Sequence, residues 1–175
     1  MRHAALLVVL SIVVSGCSLV DDDDQRAGEP FETPTYLFVV PEGWGAGVDD
    51  DPSAHEQVNL SAPAGVGGGD IFRDPVGQES IQARIERIGS SAREHENVRR
   101  VGSVERRRDD VDGEEAWVVD ATYDSPLAGE GPFTTRTIGF EHAGSDYVVS
   151  FSAPATSFER RVAALDQLLG SWEFT

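Results

Sequence analysis

From Val98 onward the apolar residues of this chain recur at every second position, and this alternation constrains the fold more than any other feature. "VRRVGSVERRR" and "EEAWVVDATYDS" flank "DDVDG", an acidic turn in which Asp112-Gly113 supplies positive backbone angles. "PFTTRTIGFEH" and "SDYVVSFSAP" repeat the arrangement around Ala143-Gly144, with Tyr147, Val149 and Phe151 in alternation. These are signals of an antiparallel meander. Trp117, Val118 and Val119 make their strand apolar on both faces, which places it centrally in the sheet.

Earlier, "TYLFVVPEGW" is a short apolar strand closed by the turn Pro41-Glu42-Gly43, with Trp44 folding back on the core. "EQVNLSAP" alternates Val58, Leu60 and Ala62 as a second strand, and the glycine-rich "AGVGGGD" reads as a loop. Two stretches change to helical spacing. A first helix is expected from Asp74-Pro75, carrying the stripe Ile81, Ile85, Ile88 and Ala92. A second, with Thr156 and Glu159 in a capping-box pattern, carries Phe158, Val162, Leu165 and Leu169 and stops at Gly170, before a short strand over 171–174. Two amphipathic helices covering one mainly antiparallel sheet make an α+β domain.

The first residues bear on location. "AALLVVLSIVV" has the length of a secretory signal's apolar region and is too short to span a bilayer comfortably. It ends in Ser15-Gly16-Cys17, and small residues before a cysteine are what a bacterial lipoprotein signal peptidase admits, so "VSGC" resembles a lipobox with cleavage between Gly16 and Cys17. The other reading makes Cys17 a small apolar residue in an ordinary cleaved signal. As a lipoprotein, the chain is exported and anchored through Cys17 to the outer face of the cell membrane, since two or more acyl chains at roughly 0.8 kcal/mol per buried methylene anchor a protein stably. Residues 1–17 are then the signal, 18–34 an acidic tether containing Asp21 to Asp24, and 35–175 one domain. With the only cysteine consumed, a disulfide in the mature domain is excluded.

The formal charge is -17, and all fourteen basic residues are arginine. Such a surface repels nucleic acid and anionic headgroups. The absence of lysine fits either a GC-rich genome or a salt-adapted organism.

The closing block, with Tyr147 in a strand, Ser152-Ala153-Pro154, Phe158 entering a helix and Trp172 in a last strand, follows an opening strand ended by "PEGW". This order resembles the PsbP-like α/β/α sandwich, the fold of the photosystem extrinsic subunit, of the Mog family of Ran-binding proteins and of LpqN-type actinobacterial lipoproteins. The resemblance implies binding or assembly rather than catalysis and transfers no functional residue, because its motifs support the fold.

Catalytic patterns are missing from the sequence itself. There is no Gly-x-Ser-x-Gly elbow, so a hydrolase is the most distant reading. His3 leaves with the signal, and His55, His95 and His142 show no metal-ligand pairing. "VGGGD" lacks the residues of a phosphate loop, and Asp110-x-Asp112-Gly113-Glu114 lacks the spaced ligands of a calcium loop. No cofactor, metal or catalytic residue is expected. Arg106, Arg107 and Arg108 form the one cationic cluster. Alternation in a strand prevents all three from pointing one way, and they either pair with "DDVDGEE" and guard an edge or contact a partner.

Two functions follow as expectations: a module that recruits or assembles an envelope protein complex, or a carrier holding a small apolar or lipidic ligand between sheet and helix. The first needs an exposed patch of several hundred square ångströms, the second an apolar pocket.

Overall fold

The computed structural model describes residues 28–48, 56–63, 67–124 and 131–175. Gly16, Cys17, the aspartates of the tether and His55 lie outside them. Among the described residues, eleven strands and two helices occur in the order β1 (Pro30–Glu32), β2 (Tyr36–Val39), β3 (Gly45–Val48), β4 (Glu56–Ser61), β5 (Gly68–Pro75), α1 (Ile81–Arg93), β6 (Val98–Val101), β7 (Glu105–Arg106), β8 (Trp117–Tyr123), β9 (Phe133–His142), β10 (Ser145–Pro154), α2 (Phe158–Gly170) and β11 (Glu173–Phe174). The large sheet runs β3-β4-β5-β10-β9-β8-β6, with β7 also on β8, and a small sheet runs β1-β2-β11. Every recorded strand pair is antiparallel.

Alternation along β9 and β10 assigns the two faces. Ile138 and Phe140, with Tyr147, Val149, Phe151 and Ala153, turn toward α2 and the small sheet and form the main core with Phe158, Val162, Leu165 and Leu168. Trp172 lies 4.3 Å from Tyr36, ring to ring, and Trp44 lies 5.0 Å from Phe151. The intervening positions face α1, where Ile81, Ile85 and Gly89 are the helix's buried residues. Gly139 receives this helix, since a Cβ there would stand 2.7 Å from Ile85 Cδ1. Helices on opposite faces of one sheet produce the sandwich expected from the two stripes.

Both glycine-containing turns match their patterns: Asp112 and Gly113 have φ of 48° and 85°, and Ala143 and Gly144 have 47° and 77°. Other expectations are corrected. The run "GGD" is the start of β5, not a loop. A Cβ at Gly69 would lie 2.1 Å from the Ser150 carbonyl oxygen and one at Gly68 2.9 Å from that of Leu60, so glycine here admits backbone rather than breaking the strand. Asp74 and Pro75 pair with Asp146 and Ser145 at the end of β5, and the first helix starts at Ile81 behind the N-cap Ser80, whose side chain accepts from the Ala83 amide.

Thr156 and Glu159 form no capping box. Ser157 occupies the N-cap without a side-chain cap bond, its hydroxyl donating instead to the Pro154 carbonyl at 3.3 Å. β8 is second from an edge rather than central, and β10 holds the middle, because β5 pairs with its other side and carries β4 and β3 beyond it. The stretch 18–34 does not end as a tether: Pro30–Glu32 pairs with β2, and Phe31 is buried with its ring 5.3 Å from that of Phe38.

Candidate binding cleft

The first turn of α1 is fastened to the β9–β10 hairpin. Glu141 Oε1 accepts from the Ile81 amide at 2.9 Å, and Arg84 bridges Asp146, at 3.0 Å, and Asp74. Near the other end, Arg93 donates to the Gly102 carbonyl at 3.1 Å, and Gly89 fits against Val119, where a Cβ would lie 3.2 Å from Cγ2. Asp146 is almost fully buried, and desolvation holds its carboxyl above the ordinary aspartate range despite the opposing Arg84 guanidinium.

Beside the second half of α1 opens a cleft of about 500 Å³. Ile88 and Ala92 of the helix and Val98 of β6 give it an apolar wall, and His95 to Asn97 form its rim. Its floor is Ala121 and Tyr123 of β8, Thr135 and Thr137 of β9 and Ser150 of β10. Thr135 Oγ1 donates to Tyr123 OH at 2.9 Å, Tyr123 OH donates to Ser152 Oγ at 3.3 Å, and Thr135 and Ser152 are 2.7 Å apart. These floor residues are uncharged, and the carboxylates of the lining, Glu96 and Asp124, stand beside them, Asp124 paired with Arg99. The volume falls within the range of small-molecule sites, and an apolar wall above a hydroxyl floor suits a ligand with an apolar body and a hydrogen-bonding group.

A second cleft of about 450 Å³ lies on the α2 face, between the β6–β8 margin and the start of α2. Arg136 and Asp120 at its centre are engaged with each other, and Arg100, Glu105 and Glu159 also line it. Arg136 binds Asp120 through two bonds of 2.8 Å and lies 5.5 Å above the Phe158 ring, and the Asp120 hydrogen bonds raise the guanidinium's pKa further. A ligand there would compete with a bidentate pair, so the α1 cleft is the better candidate.

The arginine cluster diverges as alternation requires. Arg106 pairs with Asp110 at 3.3 Å and Glu115 at 2.9 Å, inside its own hairpin, whereas Arg107 turns inward to Asp166 of α2 at 2.9 Å. Arg108 is exposed and makes no ion pair among the described residues. His95 stands on the rim of the α1 cleft. His142 stacks on Phe174 at 3.7 Å, with Nδ1 2.9 Å from Glu114 Oε1, which fastens β11 to the hairpin. Among the described residues no group of three or more His, Cys, Asp or Glu side chains is placed to hold a metal. The phenol of Tyr36 is pushed well above its ordinary pKa, first by burial and then by the nearby Glu56 carboxylate.

Sequence reading missed the cleft floor. Tyr123, Thr135, Thr137, Ser150 and Ser152 occupy the polar half of three alternating strands, a pattern that normally marks a solvated face. The available signal was hydroxyl at every second position on strands that become neighbours.

No family model matches the chain, and no curated protein sequence is detectably similar to it. Solved structures do match. A cyanobacterial PsbP (CyanoP) from Synechocystis sp. PCC 6803 gives a TM-score of 0.59 at 11% identity, covering 93% of this chain and 99% of that one. A Bacteroides thetaiotaomicron protein gives 0.52 at 14% identity over 86% of this chain, which spans about half of that longer one (49%). LpqN of Mycobacterium tuberculosis, described as involved in cell envelope biogenesis, gives 0.50 at 12% identity, covering 84% and 90%. At these identities the likeness carries architecture alone, and together with the two-helix sandwich it shows that the chain has the PsbP-like α+β fold.

Proposed function

We propose that this chain is a non-catalytic binding module of the cell envelope, exported and lipid-anchored at Cys17, that holds a small ligand with an apolar body in the cleft beside α1. The single observation carrying the ligand reading is that cleft, with its apolar wall and neutral hydroxyl floor. The exposed side chains favour it over broad apolar docking: the large apolar residues exposed among the described ones are Val39, Val48 and Val76, on three separate segments. The lipobox-like sequence at Gly16-Cys17 supports the envelope location, as does the involvement of LpqN, whose fold this chain shares, in cell envelope biogenesis.

Two measurements test the proposal. Native mass spectrometry of the chain extracted from membranes in detergent is expected to show an adduct of lipid-like mass that Ala92→Phe, which narrows the cleft wall, abolishes; a clean apo mass for wild type refutes the ligand reading. Cys17→Ala is expected to release the protein from membranes or to leave its signal uncleaved. Wild-type processing and fractionation of that variant would refute the anchor.

A further inference from the structure

The edge formed by β6 and β7 is where the charge of this protein reverses. Residues 98–108 hold five of the fourteen arginines and one of the thirty-one carboxylates. Both strands pair with β8 on one side, and on the other side no described strand pairs with them. The strip is an open row of backbone donors and acceptors, interrupted at 102–104, in a chain whose net charge is -17.

We propose that this edge docks an acidic, extended segment of a partner protein. The arginines divide into those that build the fold and those left outward. Arg107, 10% exposed, is committed to Asp166, and Arg106 to Asp110 and Glu115. Arg100 and Arg108 are exposed and form no ion pair among the described residues, and Arg99 holds only the solvent-exposed Asp124, a pair that exchanges at little cost. Arg100 also lines the α2-face cleft, where it is the one guanidinium not already bonded to a carboxylate. Arg108 lies eight positions beyond Arg100, at most about 26 Å at 3.3 Å per extended residue, so a segment of similar length reaches both.

The occupant's chemistry follows from the two components together. Guanidinium forks select carboxylates, and an unpaired strand edge selects a polypeptide backbone, as in strand addition. A nucleic acid or another polyanion offers no strand to pair and meets the repulsion of the remaining acidic surface, which a short segment seated within a Debye length of about 8 Å on the strip largely escapes. A charged edge also discourages pairing between copies of this chain, so the same arginines that block self-association admit an acidic partner. The strip adjoins the α1 cleft at Val98 and Asp124, whereas Arg100 and Arg108, which the proposal relies on, do not line that cleft.

The test uses the full chain and a fluorescein-labelled ten-residue peptide of alternating Glu and Thr, read by anisotropy at physiological ionic strength. Binding is expected, weakened at least tenfold by Arg100→Glu with Arg108→Glu and at least fivefold by N-methylation of the peptide backbone. Arg87→Glu with Arg160→Glu, the same change of net charge made on α1 and α2, is expected to shift affinity less than twofold. Circular dichroism and unfolding midpoints establish that both double variants fold. Absence of peptide binding, equal weakening by the two double variants, equal binding of a control peptide with Lys in place of every Glu, or complete displacement by polyphosphate of equal charge would each overturn the proposal.

Discussion

Gly139→Ala is a one-methyl test of how α1 is seated. The added Cβ would stand 2.7 Å from Ile85 Cδ1, 2.8 Å from Ile85 Cγ1 and 2.9 Å from Ile81 Cδ1. Carbon atoms pack best at roughly 3.5 to 4.0 Å, so three contacts are each short by about 0.6 to 1.3 Å. Ile85 is fully buried, and the same helix is tied at Arg84 and Glu141, so neither side chain nor helix moves freely. Overpacking of this kind costs about 1 to 3 kcal/mol. Alanine also restricts the unfolded chain, which returns about 0.4 to 1 kcal/mol, because Gly139 is not among the positive-φ glycines. The net expectation is a loss of about 1 to 2 kcal/mol, or about 3 to 6 °C in Tm.

Urea unfolding followed by tryptophan fluorescence measures it. Ile85→Val removes the crowded Cδ1 and costs about 0.5 to 1.5 kcal/mol alone; combined with Gly139→Ala it is expected to recover about 1 kcal/mol as coupling. Wild-type or higher stability in Gly139→Ala, or coupling below about 0.3 kcal/mol, would show that α1 is not held against β9 in this way.

Burial raises the Asp146 carboxyl, so the folded state binds its proton more tightly than the unfolded chain does. This contribution is fully present below the unfolded aspartate value of about 3.9 and is lost as pH rises through the folded value, so wild type is expected to lose stability relative to Asp146→Asn across that window, by at most about 1.4 kcal/mol per pH unit; a gap moving the other way in paired urea titrations contradicts the assignment. Gly69→Ala, which places a Cβ 2.1 Å from the Ser150 carbonyl oxygen, is expected to cost about 3 kcal/mol or more and to lower hydrogen-exchange protection along β5 and β10, and normal protection there would refute the close approach.

The hairpins and helical stripes were legible because each is written within one segment. Tyr147, Val149 and Phe151 need only their own alternation to declare a strand, and Phe158, Val162, Leu165 and Leu169 only their spacing to declare a helix. The misread segments draw their structure from distant ones. β5 begins with two glycines because the backbones of β4 and β10 pass on either side, information located at Leu60 and Ser150. β1 holds only Phe31 as a buried residue, and its pairing depends on β2. Asp74-Pro75 resembles a helix start locally, yet β10 offers it eight consecutive pairing positions with β5, and sheet pairing outweighs the cap signal.

The cleft was hidden for a related reason, and the reason bears on what it is for. Gly89 and Gly139 let α1 approach the sheet closely along one line, and Ile81 and Ile85 fill that contact. Next to it, Ala92 and Ala121 are short, and Thr137 and Ser150 replace the apolar residues that would complete a core. A protein needing only stability gains by larger apolar side chains there, at roughly 25 cal/mol per Å² of surface buried. Keeping hydroxyls and alanines instead leaves a hollow with a hydrogen-bonding floor directly beneath a helix fastened at both ends. A rigid helix over an unfilled polar floor is preorganised for a ligand, since little ordering cost remains at binding. The opposite face carries the Arg136–Asp120 pair on β9 and β8 with Arg100 at the β6 margin, so the two faces differ in the chemistry they present.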